Sequence, residues 1–327
     1  MDNTILKRLK NAGLLSEQLP DLGFVSTGSY ALNKVISGDY KKGVPIGMIT
    51  QIYGKSSTAK TVFVTHILVE AQKKGYYSVL IDSENAYSVE FAESLGIDSK
   101  KLIYSTPDTL EDSFKSIEDI ILAIRESDKD TPIVVAYDSI AVSPSKVEFE
   151  AESYDGNNMQ GAIRAKSAGA CLRKINPFMR KYKVALIVIN QLREKVGIMY
   201  GDNTTAAGGG RALEYYIGVN LMTLSNKTSD LLKDENKRVI GIKGTVRNKK
   251  NKVSIPFKEC EFELLFDKGL NKYEGVLKFL TEDGLVEQAG SWYTLSSNDT
   301  KFQKKDFIPK LEDNACEEFS GLRELFE

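Results

Sequence analysis

The stretch Gly54-Lys55-Ser56-Ser57-Thr58-Ala59-Lys60-Thr61 constrains this chain more than any other. An apolar run at residues 48–53 precedes it and reads as a short strand. A second run, 62–69, follows and reads as the start of a buried helix. Strand, loop and helix with Lys-Thr at the helix entrance is the arrangement of a phosphate-binding loop. Backbone N–H groups of such a loop and of the helix N-terminus point at a bound anion. Gly54, Ser56, Ser57, Thr58 and Ala59 would form that cradle. Lys60 adds a point charge for β- and γ-phosphates, and the Thr61 hydroxyl is a ligand for Mg²⁺. One position departs from the pattern. Ala59 stands where the motif has its second glycine, and a Cβ in a left-handed backbone costs roughly 1 kcal/mol.

Beyond the loop, strands alternate with helical patterns. Residues 77–81, 102–104, 133–137 and 184–189 are short apolar runs, separated by patterns such as 110–124. This predicts an α/β fold with a mostly parallel central sheet covered by helices on both faces. Sites in such sheets lie beyond the strand C-termini. Three strand ends carry polar residues there: Asp82-Ser83-Glu84, Asp138-Ser139 and Asn190-Gln191. An apolar strand ending in Asp138 suits a carboxylate that positions Mg²⁺ through its water shell. Glu84 is a candidate to orient and polarise an attacking water. Gln191 is a candidate neutral sensor of the γ-phosphate.

Composition closes off other chemistry. The chain of 327 residues is long enough for one large core and an accessory domain. Its net charge of −1 confines any nucleic-acid surface to a local patch. Cys171, Cys260 and Cys316 lie far apart without metal or redox spacing, which fits a reducing, cytosolic compartment. His66 is the only histidine, so His-based triads and His-rich metal sites are excluded. It is expected to pack on the helix after the loop. The N-terminus does not read as a secretory signal, and the longest apolar run, 184–189, is too short to span a bilayer. The expectation is a soluble protein with no membrane partner.

The remaining stretches organise as follows. Residues 3–15 have amphipathic spacing and precede a linker marked by Pro20 and Gly23. Two glycine-containing stretches, 152–161 and 196–211, read as long loops. Between them, residues 163–182 read as a helix that Asn176-Pro177 is expected to kink or restart. Residues 216–224, 239–246 and 260–266 read as strands of an antiparallel extension. Residues 227–258 hold ten basic residues against three acidic ones, as a solvated hairpin or a basic surface. Residues 273–293 read as a helix and turn forming a small α/β cap. Residues 312–327 hold six acids and one base, interleaved with Phe319, Leu322, Leu325 and Phe326. Two readings stay open for this end: a mobile tail that competes with an anionic ligand or recruits a partner, or an acidic end kept for solubility.

Taken together, the ordered motifs resemble the RecA-type recombinases. The carriers are Gly43-Val44-Pro45-Ile46-Gly47 leading to Lys60-Thr61, Ile81-Asp82-Ser83-Glu84-Asn85-Ala86, and Tyr137-Asp138-Ser139-Ile140-Ala141. They continue with Ile189-Asn190-Gln191-Leu192-Arg193, with Lys250-Asn251-Lys252, and with Gly290-Ser291-Trp292-Tyr293. Asn176-Pro177 and the acidic, aromatic end are similar to phage recombinases of the UvsX type. The resemblance implies four parts: an N-terminal polymerisation helix and linker (1–23), a RecA-like ATPase core with two DNA-binding loops (24–268), a small C-terminal domain (269–311) and an acidic tail (312–327). It implies helical filaments on single-stranded DNA, with ATP and Mg²⁺ between subunits, pairing with homologous duplex DNA and strand exchange. Lys60 and Thr61 would hold phosphates and Mg²⁺, with Asp138; Glu84 would activate water; Gln191 would report the γ-phosphate. Lys250 and Lys252 would reach the neighbouring subunit's nucleotide, and Phe91 would stack on adenine. DNA contact would come from Met159, Gln160, Gly161 and Arg164 in the first loop. In the second it would come from Tyr200, Thr204, Thr205, Gly208, Gly209 and Arg211. Single-strand-binding and loader proteins complete the implied partners, and the implied location is the cytoplasm, that of a bacterial host if the chain is phage-encoded. Two rival readings share the core fold: a regulator that binds nucleotide without turning it over, and a ring helicase.

Overall fold

Short, unbroken apolar strands can be satisfied only between two layers of helix. A computed structural model of the protein describes residues 3–12, 21–151, 158–194, 204–206, 210–225 and 230–327. The chain begins with α1 (Asn3–Asn11), β1 (Phe24–Val25), α2 (Tyr30–Ser37) and β2 (Val44–Pro45), where β1 and β2 pair antiparallel. The alternating unit follows: β3 (Ile49–Gly54), α3 (Lys60–Lys73), β4 (Tyr77–Asp82), α4 (Val89–Ser94), β5 (Leu102–Ser105) and α5 (Leu110–Ser127). It continues with β6 (Ile133–Asp138), α6 (Lys146–Phe149), α7 (Asn158–Lys181) and β7 (Val184–Glu194). Then come β8 (Thr204–Ala206), α8 (Gly210–Tyr216), β9 (Ile217–Leu224), β10 (Leu231–Lys233), β11 (Val239–Asn251), β12 (Glu259–Leu265) and β13 (Gly269–Leu270).

One sheet runs β13-β12-β11-β9-β3-β7-β6-β4-β5, with β10 on β11 and β8 on β7. Every neighbouring pair from β5 to β9 is parallel. From β9 through β11 and β12 to β13 the pairing is antiparallel. Successive side chains of a strand face opposite layers. Thus Val134 and Ala136 of β6 join the core under α3, which contributes Phe63, Ile67 and Leu68. Ile133, Val135 and Tyr137 join the core under α5 and α7, with Phe114, Ile117, Leu172 and Ile175. This two-sided packing fixes which strand ends share an edge.

Three sequence expectations are corrected. Helix α7 neither restarts nor ends at Asn176-Pro177; it runs unbroken to Lys181. Ala168, Leu172, Ile175 and Met179 form its buried stripe, while Pro177 is on the exposed side. Water can there satisfy the carbonyl that proline leaves unbonded. The cap helix is shorter than expected: α9 spans Val276–Glu282, entered through Gly275 at φ 76°. The residues after it form an antiparallel sheet of β14 (Val286–Ala289), β15 (Trp292–Leu295) and β16 (Lys301–Gln303).

The acidic end is not a mobile tail but is folded. After α10 (Lys304–Glu312), α11 (Ser320–Phe326) closes the chain, and Phe319, Leu322 and Phe326 are buried at helical spacing. The Phe326 ring lies 4.7 Å from that of Tyr30, 5.4 Å from Tyr40 and 5.6 Å from Tyr273. Aromatic pairs in this range add about 0.5–1.5 kcal/mol beyond area burial, which holds the segment despite its charge.

Candidate active site

The loop between β3 and α3 owes its shape to small residues and one strained one. Gly54 ends β3 so close to β9 that an added Cβ would lie 2.1 Å from Thr223 Oγ1. The Thr58 hydroxyl bonds the Lys55 carbonyl at 2.8 Å and shares a 2.7 Å bond with Thr223. Ser57 and Ala59 both sit at φ 64°, in the left-handed region. The strain expected at Ala59 is therefore present: it caps α3 with no side-chain bond. The turn between β3 and the N-terminus of this 14-residue helix directs backbone dipoles into the cavity ahead of it.

That cavity, of about 230 Å³, is lined by residues 56–62 with Glu84, Asp138, Ile189 and Gln191. The polar ends of β4, β6 and β7 thus meet the loop on one edge. Lys60 is 9% exposed, and its ammonium donates to the Lys55 carbonyl at 2.7 Å. Burial lowers its pKa, against the pull of Asp138 and Glu84. Thr61 Oγ1 donates to Asp138 Oδ2 at 2.7 Å. Burial pushes Asp138 up to about 6, with Glu84 and Asp82 adding to the rise. Glu84 Oε1 accepts from Ser139 Oγ at 2.9 Å and from Gln191 Nε2 at 3.4 Å.

The site suits a divalent cation bridged to an anion. Asp138 and Thr61 put two hard oxygens side by side, in a field of carboxylates that resists ionisation of Asp138. Among the described residues no group of three metal-binding side chains exists. A magnesium ion held here needs phosphate and water oxygens to complete its shell, the usual arrangement for Mg²⁺.

Behind the rim runs a feature that the sequence reading missed. Asn190 donates to Gln51 Oε1 at 3.4 Å, and Gln51 donates to Asn220 Oδ1 at 3.1 Å. Asn190 Oδ1 also accepts from the Gln191 N–H at 2.9 Å. This polar ladder crosses β7, β3 and β9 directly beneath Gln191. The signal available in sequence was a lone Gln51 within a strand otherwise apolar and buried.

Other candidate residues lie elsewhere. Phe91 is on α4, 41% exposed, and does not line the cavity. Lys250 and Lys252 also do not line it. A register shift between Asn248 and Lys250, opposite β9, re-aims the end of β11, and the Lys250 ammonium bonds the Glu214 carbonyl. Desolvation and then Lys252 lower the Lys250 pKa. Arg164 is not open to an incoming phosphate in this state. It holds Glu148 through Nε at 3.2 Å and Nη2 at 2.8 Å, and Glu148 also caps α6 through Ser145. Met159, Gln160 and Gly161 fall in the first turn of α7, Thr204 and Thr205 on β8, and Arg211 on α8. Tyr200, Gly208 and Gly209 lie outside the described residues.

A family model described as RecA N-terminal domain matches residues 10–271. Protein RecA of Geobacter sulfurreducens is 34% identical over 278 residues, 85% of this chain and 77% of that protein. Protein RecA of Streptomyces venezuelae is 34% identical over 290 residues, 89% of this chain and 72% of that protein. Protein RecA of Symbiobacterium thermophilum is 36% identical over 284 residues, covering 86% and 76%.

Proposed function

The chain belongs to the RecA family, and on that premise we propose that it is an ATP-dependent homologous recombinase. It binds single-stranded DNA as a helical filament, pairs it with homologous duplex DNA and exchanges strands, hydrolysing ATP as a DNA-dependent ATPase. One observation carries the reading: Lys60, Thr61, Asp138, Glu84 and Gln191 converge on a single cavity at the C-terminal edge of the parallel strands. A regulator without turnover has no use for Glu84 and Gln191 joined at that cavity.

The chain's residues divide the work. The loop amides and Lys60 hold the β- and γ-phosphates. Thr61 and Asp138 hold Mg²⁺, which when bound neutralises charge developing on the phosphate oxygens. Glu84 accepts a proton as a water oxygen attacks the γ-phosphorus and the bond to the bridging oxygen of ADP breaks. Such proton transfer contributes roughly 10²–10⁴ in rate. Gln191 senses the γ-phosphate and relays its presence to the second DNA-binding loop. Phe91 packs on the adenine. Lys250 and Lys252 serve the nucleotide of the adjoining subunit, a role supported by their position away from their own chain's cavity. Arg164 meets DNA only after leaving Glu148. Loop amides and cations bind the backbone, so sequence is read by base pairing between strands.

Action in the cytoplasm of a bacterial host, by a phage-encoded protein, is supported by Asn176-Pro177 and the acidic, aromatic C-terminal segment. Among the described residues no helix is long and apolar enough to cross a membrane. The test is ATP hydrolysis with and without single-stranded DNA, read beside electron micrographs of the same sample. DNA-stimulated turnover on helical filaments is the expected result. Unstimulated, absent turnover would favour the regulator, and closed rings the helicase.

A further inference from the structure

Two donors reach the Glu84 carboxylate, and both land on the same oxygen. Ser139 Oγ–H meets Oε1 at 2.9 Å, and Gln191 Nε2–H meets it at 3.4 Å. Among the described residues no side chain or amide bonds Oε2. The arrangement fixes one oxygen and leaves the other directed at whatever occupies the cavity. The two donors are not equivalent. Gln191 is partly exposed, and its bond is near the limit of hydrogen-bond length. Ser139 is wholly buried at the end of β6. Its N–H donates to Ser83 Oγ at 3.1 Å, and its carbonyl accepts from Ser83 Oγ at 3.1 Å and Ser143 Oγ at 3.2 Å. Ser83 immediately precedes Glu84 in the chain, so the turn carrying Glu84 is tied to Ser139 through both backbone and side chain.

A glutamine that senses the γ-phosphate must turn its amide to the phosphate, and the carboxylate then loses that donor. Resting on the reading of Glu84 as the group that activates water, we propose that Ser139 is its positioning residue. Ser139 holds Oε1 in place while Gln191 changes partner, so that Oε2 stays aimed at the attacking water. Ser139 touches neither nucleotide nor water; it acts through Glu84. Its hydroxyl suits the task because it donates one hydrogen bond and brings no charge into a rim already crowded with carboxylates.

The test uses the full chain on single-stranded DNA with saturating Mg·ATP and measures kcat and KM for Ser139→Ala, Glu84→Gln and the double variant. Loss of a hydrogen bond to a charged group predicts a fall in kcat of roughly 10- to 100-fold for Ser139→Ala. KM for ATP and affinity for DNA stay unchanged. The double variant is no slower than Glu84→Gln alone, because both changes remove one function. Ser139→Thr, which keeps the hydroxyl, restores most of kcat and separates lost positioning from lost folding. Wild-type kcat in Ser139→Ala overturns the proposal. So does a loss that multiplies in full with that of Glu84→Gln, or a Ser139→Thr variant that folds and is as slow as Ser139→Ala. Wild-type turnover in Glu84→Gln overturns the reading beneath it, whatever Ser139 does.

Discussion

The two halves of the central sheet treat their polar residues in opposite ways. In the parallel half, Gly54, Glu84, Asp138 and Gln191 come from four separate stretches and arrive at one cavity. Parallel strands all end on the same edge, so residues remote in sequence are brought together without further effort. In the antiparallel half, successive strand ends go to opposite edges. Lys250 and Lys252, carried at the end of β11, find no such meeting point in their own cavity. The comparison teaches that one half of the molecule builds a phosphate grip complete in itself. The other half presents cations whose anion is supplied by another copy.

The sharpest way to break this contrast is Lys250→Ala. If Lys250 acts as an arginine finger does, hydrolysis in filaments should fall by roughly 10³-fold or more. The slow basal turnover of dilute protein should not change. An equal loss in dilute protein would place Lys250 in its own site. Next, Glu84→Gln should slow single-turnover hydrolysis by roughly 10²-fold or more while leaving ATP and DNA binding intact. Unchanged turnover would remove Glu84 from its role in the parallel half.

A third test concerns the seam between the halves. His66 on α3 accepts the Leu270 N–H of β13 at 3.0 Å, and burial lowers its pKa from 6.5 to about 4. The folded protein thus prefers the neutral ring. Its contribution to stability is complete above pH 6.5 and is lost as pH falls toward 4, a total of roughly 3 kcal/mol. Denaturant unfolding across this window should show the loss, and His66→Gln should flatten it. An identical pH slope in His66→Gln would show that other groups govern the seam. The smallest expected effect is at Ala59. Ala59→Gly relieves a left-handed Cβ and should stabilise the protein by about 1 kcal/mol, read as a higher Tm. No gain would mean that the loop bears no strain there.

Much of the parallel half was legible in the sequence, because a phosphate-binding loop and polar residues after apolar strands are local patterns. Lys60, Thr61, Glu84, Asp138 and Gln191 were found that way. The tie from Ser139 to Glu84 was not, since its register across β4 and β6 depends on strands paired at long range. The Gln51 ladder was hidden for the same reason. Local rules failed where tertiary packing overrode them. Pro177 reads as a helix breaker yet faces outward from a helix held by its buried stripe. Phe326 reads as part of a charged tail until Tyr30, Tyr40 and Tyr273 are seen around it. Arg164 was read as a phosphate contact because nothing in the sequence shows that Glu148, 16 residues earlier, already holds it.

The central claim is that a working site is shared between subunits, Glu84 from one and Lys250 from the next. Mixing equal amounts of Glu84→Gln and Lys250→Ala proteins on single-stranded DNA tests it directly. Head-to-tail assembly would pair an intact Glu84 with an intact Lys250 at about one interface in four. DNA-dependent ATP hydrolysis should return to about a quarter of the wild-type rate, although each variant alone is nearly inactive. A mixture no more active than its two components would contradict the account.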